Sequence, residues 1–325
     1  MRILVTGSSG HLGEALMREL PRDGHEVAGL DVLPSPYTTL VGSVADRALV
    51  ARAMRGVDAV VHAATLHKPH VGSHARQAFV AANVSGTLAL LEAAVAAGVG
   101  RFVFTSTTSA FGRALTPPPG APAAWIDEDV VPVPRNVYGV TKTAAEDLCL
   151  LVHRDHGLPV VILRTSRFFP EADDRDDVRS AYDDLNLKVA ELLYRRADLA
   201  DVVDAHRCAL ERAPEIGFGR YIVTATTPFT RADLAELRAD APAVVRRRVP
   251  ASEAVFAARG WRLLPSIERV YDNARARAEL GWAPRYDFAA ALAALTAGED
   301  PRSPLALAVG AKGYHAETTG IYTTR

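Results

Sequence analysis

The sequence has few lysines and almost no net charge. Lysine occurs at only four positions, Lys68, Lys142, Lys188 and Lys312, although Lys and Arg together number 37. Because Asp and Glu number 38, the formal net charge is −1, which excludes a bulk electrostatic attraction to nucleic acid or anionic lipid. An excess of arginine over lysine is typical of a GC-rich genome. Because lysine is so scarce, the position of each lysine is more informative.

Cysteine pairs and long apolar runs are also missing. The two cysteines, Cys149 and Cys208, lack the spacing of a metal site or of a disulfide framework. The longest apolar stretch, near Leu88 to Val99, is broken by Glu92 and is too short to cross a bilayer. The chain opens directly on an apolar run without a leader pattern. We expect a soluble, cytoplasmic protein that binds no metal.

Short apolar runs alternate with helical patterns in the first half of the chain, which is typical of βαβ units. The runs are continuous, as expected for parallel strands covered by helices on both faces. Strands are predicted at Ile3–Thr6, Glu26–Leu30, Ala59–Ala63, Phe102–Thr105 and Val160–Leu163. Helices are predicted at His11–Leu20, Asp46–Met54, Arg76–Ala97 and Val137–Asp155. The pattern changes after Thr165, and a further βα unit is predicted at Tyr221–Val223 and Arg231–Leu237.

A glycine-rich turn, Gly7-Ser-Ser-Gly10-His-Leu-Gly13, joins the first predicted strand to the first predicted helix. Gly7 permits a tight turn, Gly10 lets the backbone approach a phosphate, and Gly13 allows the helix to pack closely on the strand. An ordinary βα turn is the alternative, but the strand–turn–helix context predicts a pyrophosphate site. Main-chain amides at the helix start bind such an anion without a cation. The further residues assigned to this contact are Ser9, His11 and Leu12.

An acidic residue, Asp31, ends the second predicted strand, 18 residues after Gly13. An acidic side chain at this position accepts hydrogen bonds from the ribose hydroxyls in the adenosine half of NAD and repels the 2′-phosphate of NADP. No arginine follows in the next four residues to offset that repulsion. A helix or turn cap is the alternative role of Asp31. The sequence therefore favours NAD over NADP.

Two side chains suited to proton transfer, Tyr138 and Lys142, lie four residues apart and hence on one helix face. A tyrosine is a poor base at its ordinary pKa of about 10, but a neighbouring ammonium favours the phenolate and lowers that pKa. This spacing is common by chance. A second signal is the hydroxyl-rich run 105–109 that ends a predicted strand, where ligands bind in open α/β sheets. A polar loop that satisfies its own backbone is the alternative for that run.

These motifs follow the order of a known family. Over about Met1 to Pro284 the chain resembles the extended short-chain dehydrogenase/reductase family, which contains nucleotide-sugar 4-epimerases and dehydratases. The resemblance implies an α/β fold with a Rossmann-type doubly wound parallel sheet at 1–165, to which part of 199–230 also belongs. It further implies a smaller mixed α/β substrate domain formed by 166–198 and 231–325. It rests on the glycine turn, Asp31, Val61–Ala64, Asn83–Thr87, Thr105–Thr107, Tyr138 with Lys142, Leu163–Thr165, Leu199–Asp201 and Leu280–Pro284.

The resemblance also implies roles for individual residues. Tyr138 is the acid–base group, Lys142 bridges the nicotinamide ribose and tunes Tyr138, and Thr107 binds the reacting oxygen. The other NAD contacts implied are Ala63, Ala64, Asn83 and Thr165. The candidate substrate contacts are His67, Thr108, Ser109 and Arg167.

The substrate region departs from the family pattern. Arg167 stands where family epimerases often have an asparagine that holds the substrate diphosphate. Arginine clamps a phosphate or carboxylate through paired hydrogen bonds, although the alternative is that it pairs with the acidic run 173–177 on the surface. The segment 164–201 is shorter than in typical nucleotide-sugar enzymes. The loop with His67 and His70 borders the expected site and either positions substrate, exchanges protons or has no specific role.

Two expectations concern assembly and the C-terminus. The helices Arg76–Ala97 and Val137–Asp155 are predicted to form a homodimer interface, by likeness to the family and because 88–98 is more apolar than one buried face requires. The aromatic-bearing tail Gly310–Tyr322 lies beyond the family pattern. Fraying is the default for such a tail, and docking onto the body or a partner is the alternative.

The leading hypothesis is epimerisation of a nucleotide-linked sugar with NAD retained. Tyr138 would remove a hydroxyl proton while hydride moves to NAD, and hydride would return to the other face of the keto intermediate. One alternative is a dehydrogenase or reductase of a non-nucleotide sugar or another small hydroxy or keto substrate. A third, a non-catalytic NAD-binding sensor or scaffold, does not require the complete Thr107/Tyr138/Lys142 set.

Overall fold

A parallel sheet with helices on both faces dominates the structure, a computed structural model that describes residues 1–173 and 175–312. The strands are β1 (Arg2–Thr6), β2 (Glu26–Asp31), β3 (Leu40–Val41), β4 (Ala59–His62), β5 (Arg101–Thr107), β6 (Ala124–Ile126), β7 (Val160–Thr165), β8 (Phe218–Val223) and β9 (Arg269–Tyr271). The order β3-β2-β1-β4-β5-β7-β8 forms one wholly parallel sheet, and β6 pairs with β9 in a second sheet. The strands predicted from sequence are confirmed to within a few residues at each end.

Helices connect these strands and complete the layers. In chain order they are α1 (His11–Glu19), α2 (Arg47–Ala53), α3 (Arg76–Phe79), α4 (Gly86–Ala96), α5 (Val137–His156), α6 (Asp176–Ala181), α7 (Asp184–Glu191), α8 (Leu199–Ile216), α9 (Leu234–Ala239), α10 (Ala241–Arg248), α11 (Ala251–Ala258), α12 (Ala274–Leu280), α13 (Phe288–Thr296) and α14 (Pro304–Val309). A π-helical turn at Val80–Ser85 joins α3 to α4. Because the strand order reverses beside β1, the carboxyl ends of β1 and β4 flank a crevice, where open α/β sheets bind ligands.

Each face of the main sheet has its own apolar core. Successive side chains of a strand point to opposite faces, so Ile3 and Val5 pack with α1 and α8 while Leu4 packs with α2, α4 and α5. A third core lies among α7, α9, α10, α11 and α13. It also includes Ala123, so a residue from before Thr165 contributes to this part of the fold.

A buried carboxylate, Asp201 in α8, joins two of the motifs found in the sequence. Its two oxygens accept hydrogen bonds from the backbone N–H groups of Arg285 and Tyr286, each at 2.9 Å. The indole of Trp282 donates to the Asp201 carbonyl at 3.0 Å. Burial raises the pKa of Asp201 to about 6, against the lowering effect of these backbone donors. The contacts fix the loop after α12 on the sheet domain.

The outer surface of α4 and α5 carries exposed apolar side chains. Val140 and Leu151 on α5 are 53% and 51% exposed, and Val80 beside α4 is 38% exposed. The continuous segment Arg76–Ala96 is long and apolar enough, by length and composition alone, to cross a membrane, and part of it is buried against the sheet. The dimer interface expected on these helices stays a prediction.

Candidate active site

The glycine-rich turn follows β1 and packs directly on the end of β4. Gly7 has φ +76°, and a Cβ added there would lie 2.7 Å from the backbone nitrogen of Ala64. A Cβ on Gly13 would lie 1.8 Å from the carbonyl oxygen of Gly7. No side chain fits at either position. Because both residues are glycines, the backbone of the turn and the start of α1 lie close to the space above the carboxyl ends of the strands. The first amides of α1 lack carbonyl partners within the helix and attract anions there.

The side chain of Asp31 lies beside this turn, at the end of β2. Its carboxylate accepts hydrogen bonds from the backbone N–H groups of Ser9, at 3.0 Å, and Leu33, at 2.9 Å. A carboxylate offers about four acceptor sites, so two remain for the hydroxyls of a ribose. Asp31 therefore has a structural contact to the turn in addition to the cofactor contact predicted for it.

Replacing Asp31 by Ala is expected to lower the ratio of NAD to NADP affinity by about ten- to a hundredfold, since a charge-assisted hydrogen bond contributes about 1.5–3 kcal/mol. The substitution also removes the repulsion of a 2′-phosphate. Titration calorimetry with both dinucleotides measures the ratio, and Asp31→Asn separates the loss of charge from the loss of hydrogen bonding. An equal weakening of both dinucleotides would mean that Asp31 only shapes the turn.

Three residues predicted to carry proton transfer come together where β5 ends. Thr107 is the last residue of β5, and Tyr138 and Lys142 lie in the first turns of α5. The helix start is fixed because the Asn136 side chain accepts the Gly139 N–H at 3.0 Å. The Thr107 side chain lies close enough to the Tyr138 hydroxyl to lower the pKa of that phenol. Two buried hydroxyls thus lie side by side at the carboxyl end of the sheet.

The electrostatics of this group differ from the sequence-based expectation. Burial raises the pKa of Tyr138 to about 12, and the neighbouring Thr107 side chain lowers it by less. The ammonium of Lys142 donates to the Thr105 carbonyl at 2.6 Å and lies 3.9 Å from the centre of the Phe104 ring. Burial lowers the pKa of Lys142 to about 7, partly opposed by a nearby carboxylate. The prediction that Lys142 tunes Tyr138 stays a prediction: here the ammonium is bound to β5, and burial and Thr107 are the causes of the Tyr138 pKa shift.

A buried ion pair behind the catalytic group was not identified from the sequence. Glu146, one turn beyond Lys142, accepts hydrogen bonds from the Arg164 guanidinium at 2.7 Å and from the Ser106 hydroxyl at 2.6 Å. The side chains of the pair are only 1% and 4% exposed. The signal in the sequence was a carboxylate on the helix face that carries Tyr138 and Lys142. These contacts join β5, α5 and β7 and so hold that helix in place.

The amide of Asn83 links the loop after β4 to α5. It accepts the Leu66 N–H at 2.8 Å and donates to the Leu66 carbonyl at 2.8 Å and to the Thr141 hydroxyl at 3.0 Å. Asn83 lies in the π-helical turn, a distortion that is common at functional sites. Its side chain supports the site through these contacts.

Two hydroxyls end β7 beside the crevice. Thr165 donates to the Ser106 carbonyl at 3.0 Å, whereas the buried hydroxyl of Ser166 has no hydrogen-bond partner among the residues described. Buried polar groups are normally paired, so the Ser166 hydroxyl is available to bind a polar ligand. The backbone cradle around Gly7, bounded by Ala63 and Ala64, and this unpaired hydroxyl fit a dinucleotide lying across the crevice.

The candidate substrate contacts surround Tyr138 only in part. The His67 ring lies 6.5 Å from the Tyr138 ring and 5.6 Å from the Phe169 ring, measured between centroids. Thr108 is buried after β5, and the Ser109 N–H donates to the Thr107 hydroxyl at 3.1 Å. The His67 ring thus borders both the Tyr138 ring and the Phe169 ring. Within residues 1–173 and 175–312 no cluster of three or more His, Cys, Asp or Glu is arranged to hold a metal ion.

Arg167 is held in a cluster of ionic contacts that the sequence revealed only in part. Its guanidinium binds Asp173 at 2.6 Å and Glu191 at 3.2 Å. Arg195 and Arg196 also bind Glu191, at 2.6 and 2.7 Å. The pairing with Asp173 was the alternative expected from the sequence, but Glu191 is fully buried and is supplied by α7. The adjacent arginines before Leu199–Asp201 were the available signal for this cluster.

A family model described as the NAD dependent epimerase/dehydratase family matches residues 3–220. Among curated relatives, a dTDP-glucose 4,6-dehydratase of Streptomyces antibioticus is 30% identical over 339 residues, with 90% of each chain covered. Several other curated matches are shorter: the chain spans about half the length, or less, of those relatives. These shorter matches cover about half of this chain.

Solved structures give the same fold over most of the chain. A short-chain dehydrogenase/reductase superfamily protein from Agrobacterium tumefaciens with bound NAD is 26% identical, with a TM-score of 0.65 and coverage of 92% of this chain and 97% of that one. A Thermus thermophilus UDP-glucose 4-epimerase in complex with NAD is 25% identical, with a TM-score of 0.60 and coverage of 88% and 94%. Both were crystallised with the cofactor that the cradle around Gly7 fits.

Proposed function

Because the chain belongs to the NAD-dependent epimerase/dehydratase family, we propose that this NAD-dependent enzyme epimerises a nucleotide-linked sugar through a transient keto intermediate. The observation that carries the proposal is the buried pair of neighbouring Thr107 and Tyr138 side chains at the carboxyl end of β5. The glycine turn and Asp31 would hold the adenosine half of NAD. The dehydratase and epimerase among the similar proteins are named for nucleotide sugars.

The residues of the chain supply proton transfer and orientation. When bound, NAD accepts hydride from the substrate carbon and returns it. The Tyr138 oxygen takes the proton of the substrate hydroxyl and gives it back when the keto group is reduced, so no proton is gained or lost over a cycle. The Thr107 hydroxyl binds the reacting oxygen. Burial keeps the pKa of Tyr138 high, at about 12, so Tyr138 has to lose its own proton before its oxygen can accept that of the substrate hydroxyl.

A second candidate is a dehydrogenase of a smaller, anionic substrate such as a sugar acid. Two observations favour it. The connection between β7 and α8 is short and contains only α6 and α7 within its described part. Three arginines, Arg167, Arg195 and Arg196, surround the Glu191 carboxylate. Arginine pairs planar carboxylates and phosphates with two parallel hydrogen bonds. A free sugar acid needs no surface for a nucleotide base.

The absorbance spectrum of the purified protein, followed by turnover assays, separates the candidates. Co-purified NAD(H) with no net NADH formed during turnover supports the epimerase. An empty protein that forms NADH in proportion to product supports the dehydrogenase. NAD binding without turnover of nucleotide sugars, sugar acids or neutral sugars would leave only the sensor or scaffold.

Arg167→Ala is expected to raise the Michaelis constant for an anionic substrate by about ten- to a hundredfold, since a partly buried charge-assisted contact contributes about 1.5–3 kcal/mol. NAD affinity should not change. Arg175→Ala, at an exposed arginine that pairs with Asp177, is the matched control. The assay compares nucleotide sugars, sugar acids and neutral sugars. If the loss is equal for charged and neutral substrates, Arg167 only organises the contacts of Asp173 and Glu191.

A further inference from the structure

The ring of His62, the last residue of β4, is buried between the end of β1 and the start of α4. His62 is 1% exposed, and both of its ring nitrogens have hydrogen-bond partners. Nδ1 lies 2.7 Å from the hydroxyl of Thr6, which directly precedes the glycine-rich turn. Nε2 lies 2.9 Å from the hydroxyl of Thr87 in the first turn of α4. The imidazole therefore joins β1 to α4 across the end of β4.

The protons available to these groups fix the direction of each hydrogen bond. The Thr87 hydroxyl donates its one proton to the Asn83 carbonyl at 2.6 Å, so it can only accept from His62. Burial lowers the pKa of His62 well below its ordinary value, so the ring is neutral and has one donor and one acceptor. Nε2 therefore carries the proton, and Nδ1 accepts a hydrogen bond from the Thr6 hydroxyl.

These contacts form one chain of hydrogen bonds, and both of its ends lie at the candidate active site. It begins at the Ala64 N–H, which donates to the Thr6 hydroxyl oxygen at 3.2 Å, and it ends at the Asn83 carbonyl. The backbone of Ala64 bounds the cradle around Gly7. The amide of Asn83 donates to α5, the helix that carries Tyr138. The imidazole thus connects the backbone of the cofactor cradle to the helix of the acid–base group.

We propose that His62 is a positioning residue whose two hydrogen bonds hold the cofactor cradle in a fixed relation to the π-helical turn and thereby raise the affinity for NAD. His62 acts through Ala64 and Asn83 and transfers no proton itself. A neutral imidazole donates from one edge and accepts at the other, whereas a carboxylate only accepts and an ammonium only donates. This role requires only the NAD site of the proposed function, whichever substrate the enzyme turns over.

NMR spectra of the whole protein, labelled with ¹⁵N in its histidines, identify the tautomer of His62. The ring is expected to be neutral, with its proton on Nε2, both with and without NAD. The signal is assigned by its shift in Thr87→Val, since that substitution removes the acceptor of the Nε2 proton. A proton on Nδ1, or a charged ring near neutral pH, would overturn the proposal, because the hydrogen bonds would then not run in one direction.

Calorimetric titration of NAD tests whether the two ends of the chain of hydrogen bonds are coupled. Thr87→Val keeps the shape of the side chain but removes its hydrogen bond to His62, so NAD should bind about two- to tenfold more weakly. In a His62→Phe or a Thr6→Val background the same substitution should not weaken NAD binding further, because the connection is already broken.

His153→Phe is the matched control, because the His153 ring donates to the Leu158 carbonyl at 2.8 Å at the other end of α5. Its NAD affinity should equal that of the parent. An equal loss of affinity from Thr87→Val in all three backgrounds, or no loss in the parent, would contradict a role for His62 in coupling the two ends. Both measurements omit the sugar, so a wrong substrate assignment changes neither result.

Discussion

Tyr138→Phe is expected to lower kcat by about 10²–10⁴-fold, the range typical of a lost general acid–base group. The ring and its packing remain, so NAD affinity should stay nearly unchanged. Only the hydroxyl that lies beside Thr107 is removed. Steady-state kinetics together with calorimetric titration of NAD measure the two effects separately.

Tyr271→Phe is the matched control, because Tyr271 is a buried tyrosine in β9, within a different apolar cluster. It should keep kcat close to that of the parent. Activity of Tyr138→Phe within threefold of the parent would remove Tyr138 from the chemistry. A loss of NAD affinity equal to the loss in kcat would instead indicate that the hydroxyl supports the cofactor site.

Glu146→Leu is expected to lower the free energy of unfolding by about 3–5 kcal/mol, because it leaves the Arg164 guanidinium buried without its partner. The Ser106 hydroxyl loses its acceptor as well. Urea unfolding followed by circular dichroism measures the change. Since the pair joins α5 to β7, kcat should fall too, through displacement of Tyr138.

The double variant Glu146→Leu/Arg164→Met distinguishes a broken pair from lost packing. Replacing both partners by apolar groups of similar volume is often close to neutral, so the double variant should recover most of the stability lost by Glu146→Leu. A double variant as unstable as Glu146→Leu would place the cost in packing or in the unpaired Ser106. A stable Glu146→Leu would show that the buried guanidinium finds another partner.

Local patterns were sufficient to predict β1, β2, β4, β5, β7 and β8, the glycine turn and the Tyr138/Lys142 helix, but not the short strands β3, β6 and β9. The continuous apolar runs that became β1, β4, β5 and β7 are buried on both faces, so each strand has to be apolar along its whole length. Gly7 and Gly13 occupy positions where a Cβ would meet backbone atoms, so their identity follows from the turn itself. Four-residue spacing places Tyr138 and Lys142 on one face of any helix.

The environment of those side chains depended on residues distant in sequence. Lys142 binds the Thr105 carbonyl, 37 residues away, and not the phenol of Tyr138, and burial then sets the pKa of both groups. The pairing of Arg167 with Asp173 could be anticipated from the sequence. The burial of Arg167 could not, because it depends on Glu191, which α7 supplies. Sequence spacing determines periodicity and backbone conformation, which are local. Only the packing of α5, α7 and β7 on the sheet determines which charges meet and how far they are removed from water, because desolvation and ion pairing depend on every group brought close by the fold.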